Sequence, residues 1–250
     1  MLLSYLTNPQ SMKYEIIKDP MSMLEVQMNN GESITAESGA MVYMKGNIII
    51  KTRMREGGFL KSLKVKALGG ESFFVNDYAA QEDGCALGLT GPTIGDIVQI
   101  PVSNGNGYIV QSGAYIASTS GVSIDTKWQG FTKGIFGSEL FMLKVTGAGD
   151  VFVNAYGGII QKQLANGEKL VLDNYHLVAM SENASYKVTK LQGMKTTILG
   201  GEGLVTEITG PGSVYFQTKN LKELIDLLGI RARQETSGPS MNIGGFKFGT

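Results

Sequence analysis

The chain has 250 residues with 22 basic and 22 acidic side chains, so it carries no net field, and only a local patch could attract nucleic acid or an anionic surface. One cysteine, Cys85, excludes an internal disulfide, and no cluster of usual metal-ligand spacing is present, so a reducing compartment is expected and no metal or cofactor is implied. Glycine is abundant, 34 residues against 6 prolines, and spread along the chain, which signals many tight turns between short elements.

The chain starts with an apolar stretch that lacks a basic n-region and is broken at Asn8-Pro9, so residues 1–12 read as an extension rather than a signal or a membrane span. Short runs rich in Val, Ile, Tyr, Phe and Thr follow, among them Leu24–Met28, Asn47–Thr52, Ser72–Asn76, Gly107–Val110 and Leu170–Leu172. They predict strands of about five residues, as in sandwiches and barrels. One helix is expected over Leu221–Leu228, where apolar residues at 221, 224, 225 and 228 share a face and Gly229 stops it. The predicted organisation is one repeated domain over 13–229 and a flexible tail over 230–250 that ends in Phe246 and Phe248.

The motif TGAGDVFVNAY (Thr146–Tyr156) organises the repeats. It is echoed upstream by GGESFFVNDY (Gly69–Tyr78) and downstream by TGPGSVYFQ (Thr209–Gln217). Asn30-Gly31, Asn104-Gly105 and Asn166-Gly167 each precede an alternating strand, and those strands run into Ser38-Gly39-Ala40, Ser112-Gly113-Ala114 and Asn174-Tyr175-His176. Phe74 and Phe152 lie 78 apart, while the second and third Asn-Gly pairs lie 62 apart, which assigns about 16 extra residues (78 − 62 = 16) to the second copy as a loop or hairpin near Gln81–Asp96. Copies at such spacing are expected to stack, each burying strand faces it cannot bury alone.

Several of these segments carry a family resemblance: KYEIIKDPMSMLEVQMNNGESITAESGAMVYM, EGGFLKSL, GIFGSELF with TGAGDVFVNAYGG, and GPGSVYFQTKNLKEL. Taken in order, from about Lys13 to Leu228, they resemble the mitochondrial biogenesis ("altered inheritance of mitochondria") family, in its prokaryotic form. The resemblance implies an all-β fold similar to the tryptophan RNA-binding attenuation protein and the double-stranded β-helix, a homo-oligomer such as a trimer, and no catalytic residues. The mitochondrial branch is linked to inner-membrane organisation, but this chain shows no Arg-rich presequence to carry that address over.

Candidate chemistry is sparse. His176, the single histidine, has Asp173 as its nearest carboxylate in sequence and reads as structural, because a general base needs partners within hydrogen-bond reach. Cys85 lies beside Glu82 and Asp83, whose charges disfavour a thiolate. The glycine pairs at 147–149 and 200–203 do not open helices after strands and read as turns, not phosphate cradles.

Two stretches stand out. Lys51–Lys66 holds Lys51, Arg53, Arg55, Lys61, Lys64 and Lys66 against Glu56 alone, a local net charge of +5 (6 − 1), around the apolar tip Phe59-Leu60. A basic rim with an apolar tip suits an anionic lipid surface; lysines that blunt a sheet edge explain the charges equally well but not the tip. Lys127–Phe141 occupies the corresponding place before the next copy's strand and offers Trp128, Phe131, Ile135 and Phe136 among glycines, as a contact face or as a plug over the end of the β-body.

The sequence therefore predicts an all-β, internally repeated, antiparallel sandwich or barrel with one short C-terminal helix. It predicts a non-enzymatic binding or scaffold protein, cytoplasmic and peripheral to anionic membranes or bound to a protein partner, and a homo-oligomer with a trimer preferred. The competing readings are a small-ligand or enzymatic β-barrel with a pocket at Asp173 and His176, and RNA binding through 51–66, which neutral overall charge disfavours.

Overall fold

The structure, a computed structural model, describes residues 12–18, 21–54, 74–125, 142–190 and 204–227. One unit runs to Asn220 and a second begins at Leu221. In the first, strand β1 (Lys13–Ile17) precedes three modules of six strands. Module one comprises β2 (Met23–Met28), β3 (Ser33–Glu37), β4 (Met41–Lys45), β5 (Ile48–Met54), β6 (Phe74–Ala80) and β7 (Cys85–Leu89). Module two comprises β8 (Ile97–Val102), β9 (Tyr108–Gln111), β10 (Tyr115–Thr119), β11 (Val122–Asp125), β12 (Met142–Gly147) and β13 (Gly149–Asn154). Module three comprises β14 (Ile159–Leu164), β15 (Lys169–Asp173), β16 (Leu177–Ser181), β17 (Ser185–Lys190), β18 (Leu204–Thr209) and β19 (Gly212–Gln217). The second unit holds helix α1 (Leu221–Leu227), as its apolar spacing predicts.

The Asn-Gly pairs set the modules in phase. Gly31, Gly105 and Gly167 have φ of 84°, 83° and 76°, a left-handed conformation that glycine adopts without strain. Around them the same turn closes three times, with Glu32 N donating to Asn29 O at 3.0 Å, Asn106 N to Ser103 O at 2.8 Å and Glu168 N to Ala165 O at 3.0 Å. Alternation then decides which face is buried: in β2 Leu24, Val26 and Met28 point inward while Gln27 is exposed.

Each module splits its strands between two sheets. Sheet I has the order β1-β2-β7-β4, sheet II β5-β6-β3-β10-β13-β8, sheet III β11-β12-β9-β16-β19-β14 and sheet IV β15-β18-β17, with antiparallel pairing throughout. Sheets II and III each fuse half of one module to half of the next. Three apolar clusters hold the layers: one between I and II around Leu24, Leu87 and Phe152, one between II and III around Val110, Val151 and Leu143, and one between III and IV around Ile109, Leu177 and Ile208. Consecutive residues of β13 serve different clusters, Val151 and Val153 facing sheet III and Phe152 facing sheet I, so an inner strand reads as continuously apolar. Full burial of such a side chain contributes about 1.5–3 kcal/mol.

Two details of the repeat differ from the sequence expectation. Residues 81–96 are not an insertion, because they contain β7, which pairs with both β2 and β4. Its sequence, CALGL, looks like a loop because Gly88 and Ala86 are small, yet smallness is the structural requirement: a Cβ on Gly88 would run into the Tyr43 ring, which lies across the strand. The FVNDY and FVNAY matches also join strands that are not equivalent. Phe74 opens β6, whereas Phe152-Val153-Asn154 closes β13, whose counterparts are β7 and β19. The two segments share a two-residue alternation, not a place in the module.

Candidate functional site

Lys51 lies exposed on β5, the edge strand of sheet II, opposite Asp77 of β6, and Arg53 stands opposite Val75 in the same ladder. The side chain of Arg53 and the residues Arg55, Phe59, Leu60, Lys61, Lys64 and Lys66 lie outside the described residues, as do Trp128, Phe131, Ile135 and Phe136. What the structure establishes for these stretches is where the chain leaves and returns. Residues 55–73 connect β5 to β6 and residues 126–141 connect β11 to β12, the equivalent edge hairpins of modules one and two; residues 191–203 connect β17 to β18 at the same point of module three. Ahead of the basic stretch, Ile49 and Ile50 are 46% and 40% exposed on opposite faces of β5, and Ile49 shares its face with Lys51. A cleft of about 340 Å³ beside it is lined by Thr35, Ile49, Lys51 and Asp77, with the Thr35 hydroxyl donating to Asp77 Oδ1 at 2.7 Å.

Asp173 precedes a single 3-10 turn, Asn174–His176, whose last residue is His176. Asp173 caps it, Oδ1 accepting from Tyr175 N at 2.9 Å. Both ring nitrogens of His176 are engaged: Nδ1 lies 2.7 Å from the Gln217 carbonyl and Nε2 lies 2.9 Å from the Asn220 amide nitrogen. A carbonyl only accepts, so Nδ1 carries the proton and Nε2 accepts from Asn220, which is the neutral imidazole. Gln217 also donates from Nε2 to Tyr175 O at 2.8 Å and accepts from Tyr156 N at 2.9 Å. The histidine thus pins the turn and the end of β19 together. Ala40 and Ala114 hold the equivalent place in modules one and two. Neither the 340 Å³ cleft nor a second one of about 520 Å³, lined by Tyr108, Gln163, Ser181 and Ser213, contains Asp173 or His176.

Cys85 is fully buried, its sulfur 3.4 Å from Glu82 O and 3.5 Å from Asn47 O, where a thiol donates weakly. Among the described residues no three His, Cys, Asp or Glu side chains come together as a metal-binding group. Tyr14, Tyr43 and Tyr215 hold their protons more tightly than a free phenol. Burial, with Asp150 and Glu32 nearby, pushes Tyr14 up to about 12, and burial beside Tyr108 does the same to Tyr215. Tyr43 reaches about 12 for another reason, the hydrogen bond from its hydroxyl to Glu25 Oε2, with desolvation second. The residue that sequence reasoning missed is Asn154, 1% exposed at the end of β13: Oδ1 accepts from Thr93 N at 3.0 Å and from the Thr93 hydroxyl, and Nδ2 donates to Asp96 O at 3.0 Å. The repeated motif contains this asparagine, but its partners sit in a segment that reads as a loop.

The fold defines an all-β protein of three antiparallel modules. The chain belongs to the mitochondrial biogenesis AIM24 family, whose model matches residues 14–219. An uncharacterised protein of Streptococcus pyogenes serotype M6 is 29% identical over 213 residues, covering 82% of this chain and 85% of that one. The crystal structure of a Streptococcus pyogenes protein superposes with a TM-score of 0.70 at 26% identity, covering 87% of this chain and 98% of the other. Among the described residues no helix is long and apolar enough to cross a membrane.

Proposed function

We propose that this protein is a non-catalytic, homo-oligomeric binding scaffold, trimeric by preference, that docks peripherally on anionic membrane surfaces through residues 51–66, with Trp128, Phe131 and Phe136 of the equivalent loop as further contacts. The observation that carries the reading is the placement of both stretches at equivalent edge hairpins, β5 to β6 and β11 to β12, so that repetition of the module repeats the contact site. The exposed Ile49, on the same face of β5 as Lys51, supports it by setting an apolar side chain beside the start of the basic segment. Each lysine near an anionic surface contributes about 1 kcal/mol and a shallowly inserted Phe59-Leu60 tip adds a weak apolar term. One copy therefore binds marginally, and several copies on one face bind by avidity.

Co-sedimentation with phosphatidylglycerol and phosphatidylcholine vesicles tests the proposal. Binding is expected only to the anionic vesicles, to weaken as added salt shortens the Debye length below about 8 Å, and to drop for Phe59→Ser and for Lys61→Glu with Lys64→Glu. Wild-type protein that stays in the supernatant with phosphatidylglycerol vesicles at low salt refutes it and leaves the charges as protection of the β5 edge.

A further inference from the structure

We infer that β4 of one copy pairs with β15 of a second copy, so that the chain assembles head to tail through the two strand edges its own repeat leaves open. The inference rests on the proposed self-assembly and names where it occurs; membrane binding plays no part in it.

The module repeat shows the joint twice within one chain. At the first junction β10 pairs with β3 of the preceding module, Ala117 opposite Ala36, Ser118 opposite Thr35 and Thr119 opposite Ile34. At the second, β16 pairs with β9 in the same register, Ala179 opposite Val110, Met180 opposite Ile109 and Ser181 opposite Tyr108. The strand that joins backward is β4 in module one, and the strand that receives is β15 in module three. Among the described residues neither has that partner: β4 ends sheet I and β15 ends sheet IV. The chain does not pair them with each other, and no apolar cluster among the described residues spans sheets I and IV, the outer layers of the stack.

The side chains of β4 match a joined strand rather than a terminal one. A bulge interrupts the ladder at the same place in all three modules, between Met41 and Tyr43, Tyr115 and Ala117, and Leu177 and Ala179. The bulged residue is Ile116 in β10 and Val178 in β16, both 0% exposed, but in β4 it is Val42, 53% exposed. Met41 and Met44 are 41% and 39% exposed, whereas Leu177 and Met180 are buried. On the receiving strand Val171 is 51% exposed, whereas its counterpart Ile109 is buried against Met180. Carrying the common register over sets Tyr43 opposite Leu172, Met44 opposite Val171 and Lys45 opposite Leu170. The most exposed apolar residue of β15 thus meets an exposed methionine of β4 at the position where Ile109 meets Met180. Two open ends of complementary type make a heterologous contact, which closes into a ring or extends as a filament according to the rotation per copy. An exposed, apolar edge strand is otherwise an aggregation hazard that proteins cover or charge.

Met44→Lys and Val171→Lys test the joint, because both side chains are exposed in the single chain and a lysine there burdens only the assembled state. Melting temperatures close to wild type would verify that the variants fold. Analytical ultracentrifugation should show wild-type protein at a multiple of the 26.8 kDa chain mass and each variant as a monomer. An equimolar mixture of the two variants should give a one-to-one dimer and nothing larger, since Met44→Lys retains a working β15 edge and Val171→Lys a working β4 edge, and the remaining ends set lysine against lysine. A wild-type monomer at tens of micromolar refutes self-assembly altogether. Variants that keep the wild-type mass refute the edge assignment while leaving self-assembly standing, and a mixture that stays monomeric refutes the head-to-tail pairing.

Discussion

Asn154→Leu keeps nearly the volume of the side chain and removes its hydrogen bonds, so it isolates what the amide does at the end of β13. In the wild type the amide fastens residues 93–96, which connect module one to module two, onto the first strand pair of module two. Loss of Oδ1 leaves Thr93 N and the Thr93 hydroxyl without that acceptor in a half-buried place. Loss of Nδ2 is cheaper, because Asp96 O still accepts from Ala155 N at 3.0 Å. Leaving a buried polar group unpaired costs about 1–3 kcal/mol, and with Thr93 half accessible to water the lower part of that range applies, about 2 kcal/mol in all. For a chain of this size that lowers the melting temperature by roughly 4–8 °C. Differential scanning calorimetry reads it directly. Gly91→Ala should act at the same place, since its Cβ would collide with the Asn154 side chain. An Asn154→Leu melting temperature within a degree of wild type would show that the amide holds nothing, and the account of how consecutive modules are fastened would fall.

Further outcomes follow from the same geometry. His176→Ala should cost about 1–2 kcal/mol in urea unfolding through its two lost hydrogen bonds and leave vesicle binding unchanged; loss of vesicle binding by a variant of normal stability would contradict the structural role. Tyr43 has a folded pKa of about 12 against an ordinary value of 10, so the neutral phenol is favoured in the fold, and its contribution to stability is complete below pH 10 and lost as the pH rises to 12. Spectrophotometric titration should therefore show one fewer late-ionising tyrosine in Tyr43→Phe. Gly88→Ala, which drives the ring off its strand and away from Glu25, should return Tyr43 to the ordinary range, and an unchanged titration curve would disprove the assigned hydrogen bond.

Much of the fold was legible because its signals are local. Alternation placed β2 within a residue of Leu24–Met28 and β9 within a residue of Gly107–Val110, the three-and-four spacing of apolar residues placed the helix at Leu221, and the three Asn-Gly pairs marked the turns that keep the modules in phase. What stayed hidden depends on other strands. The sequence reads residues 81–96 as an extra loop or hairpin, because Gly88 carries no strand signal until the Tyr43 ring that covers it is known. The FVN match misled because period-two alternation is shared by every strand and says nothing of position in a module. Met41, Val42 and Met44 are as apolar as core residues, and only the end of sheet I shows that the described residues leave them exposed. His176 was legible as structural, though the amides of Gln217 and Asn220 that engage it are far away in sequence.

The central claim is that the loops at equivalent hairpins dock on anionic membranes, and Trp128 allows it to be measured without a label, because it is the single tryptophan of the chain and lies in the second loop. Titrating the protein with phosphatidylglycerol vesicles at low salt should shift the Trp128 emission to the blue, and lipids brominated on the acyl chain should quench it, with neither effect from phosphatidylcholine vesicles. Emission that neither shifts nor quenches at saturating phosphatidylglycerol would contradict the account.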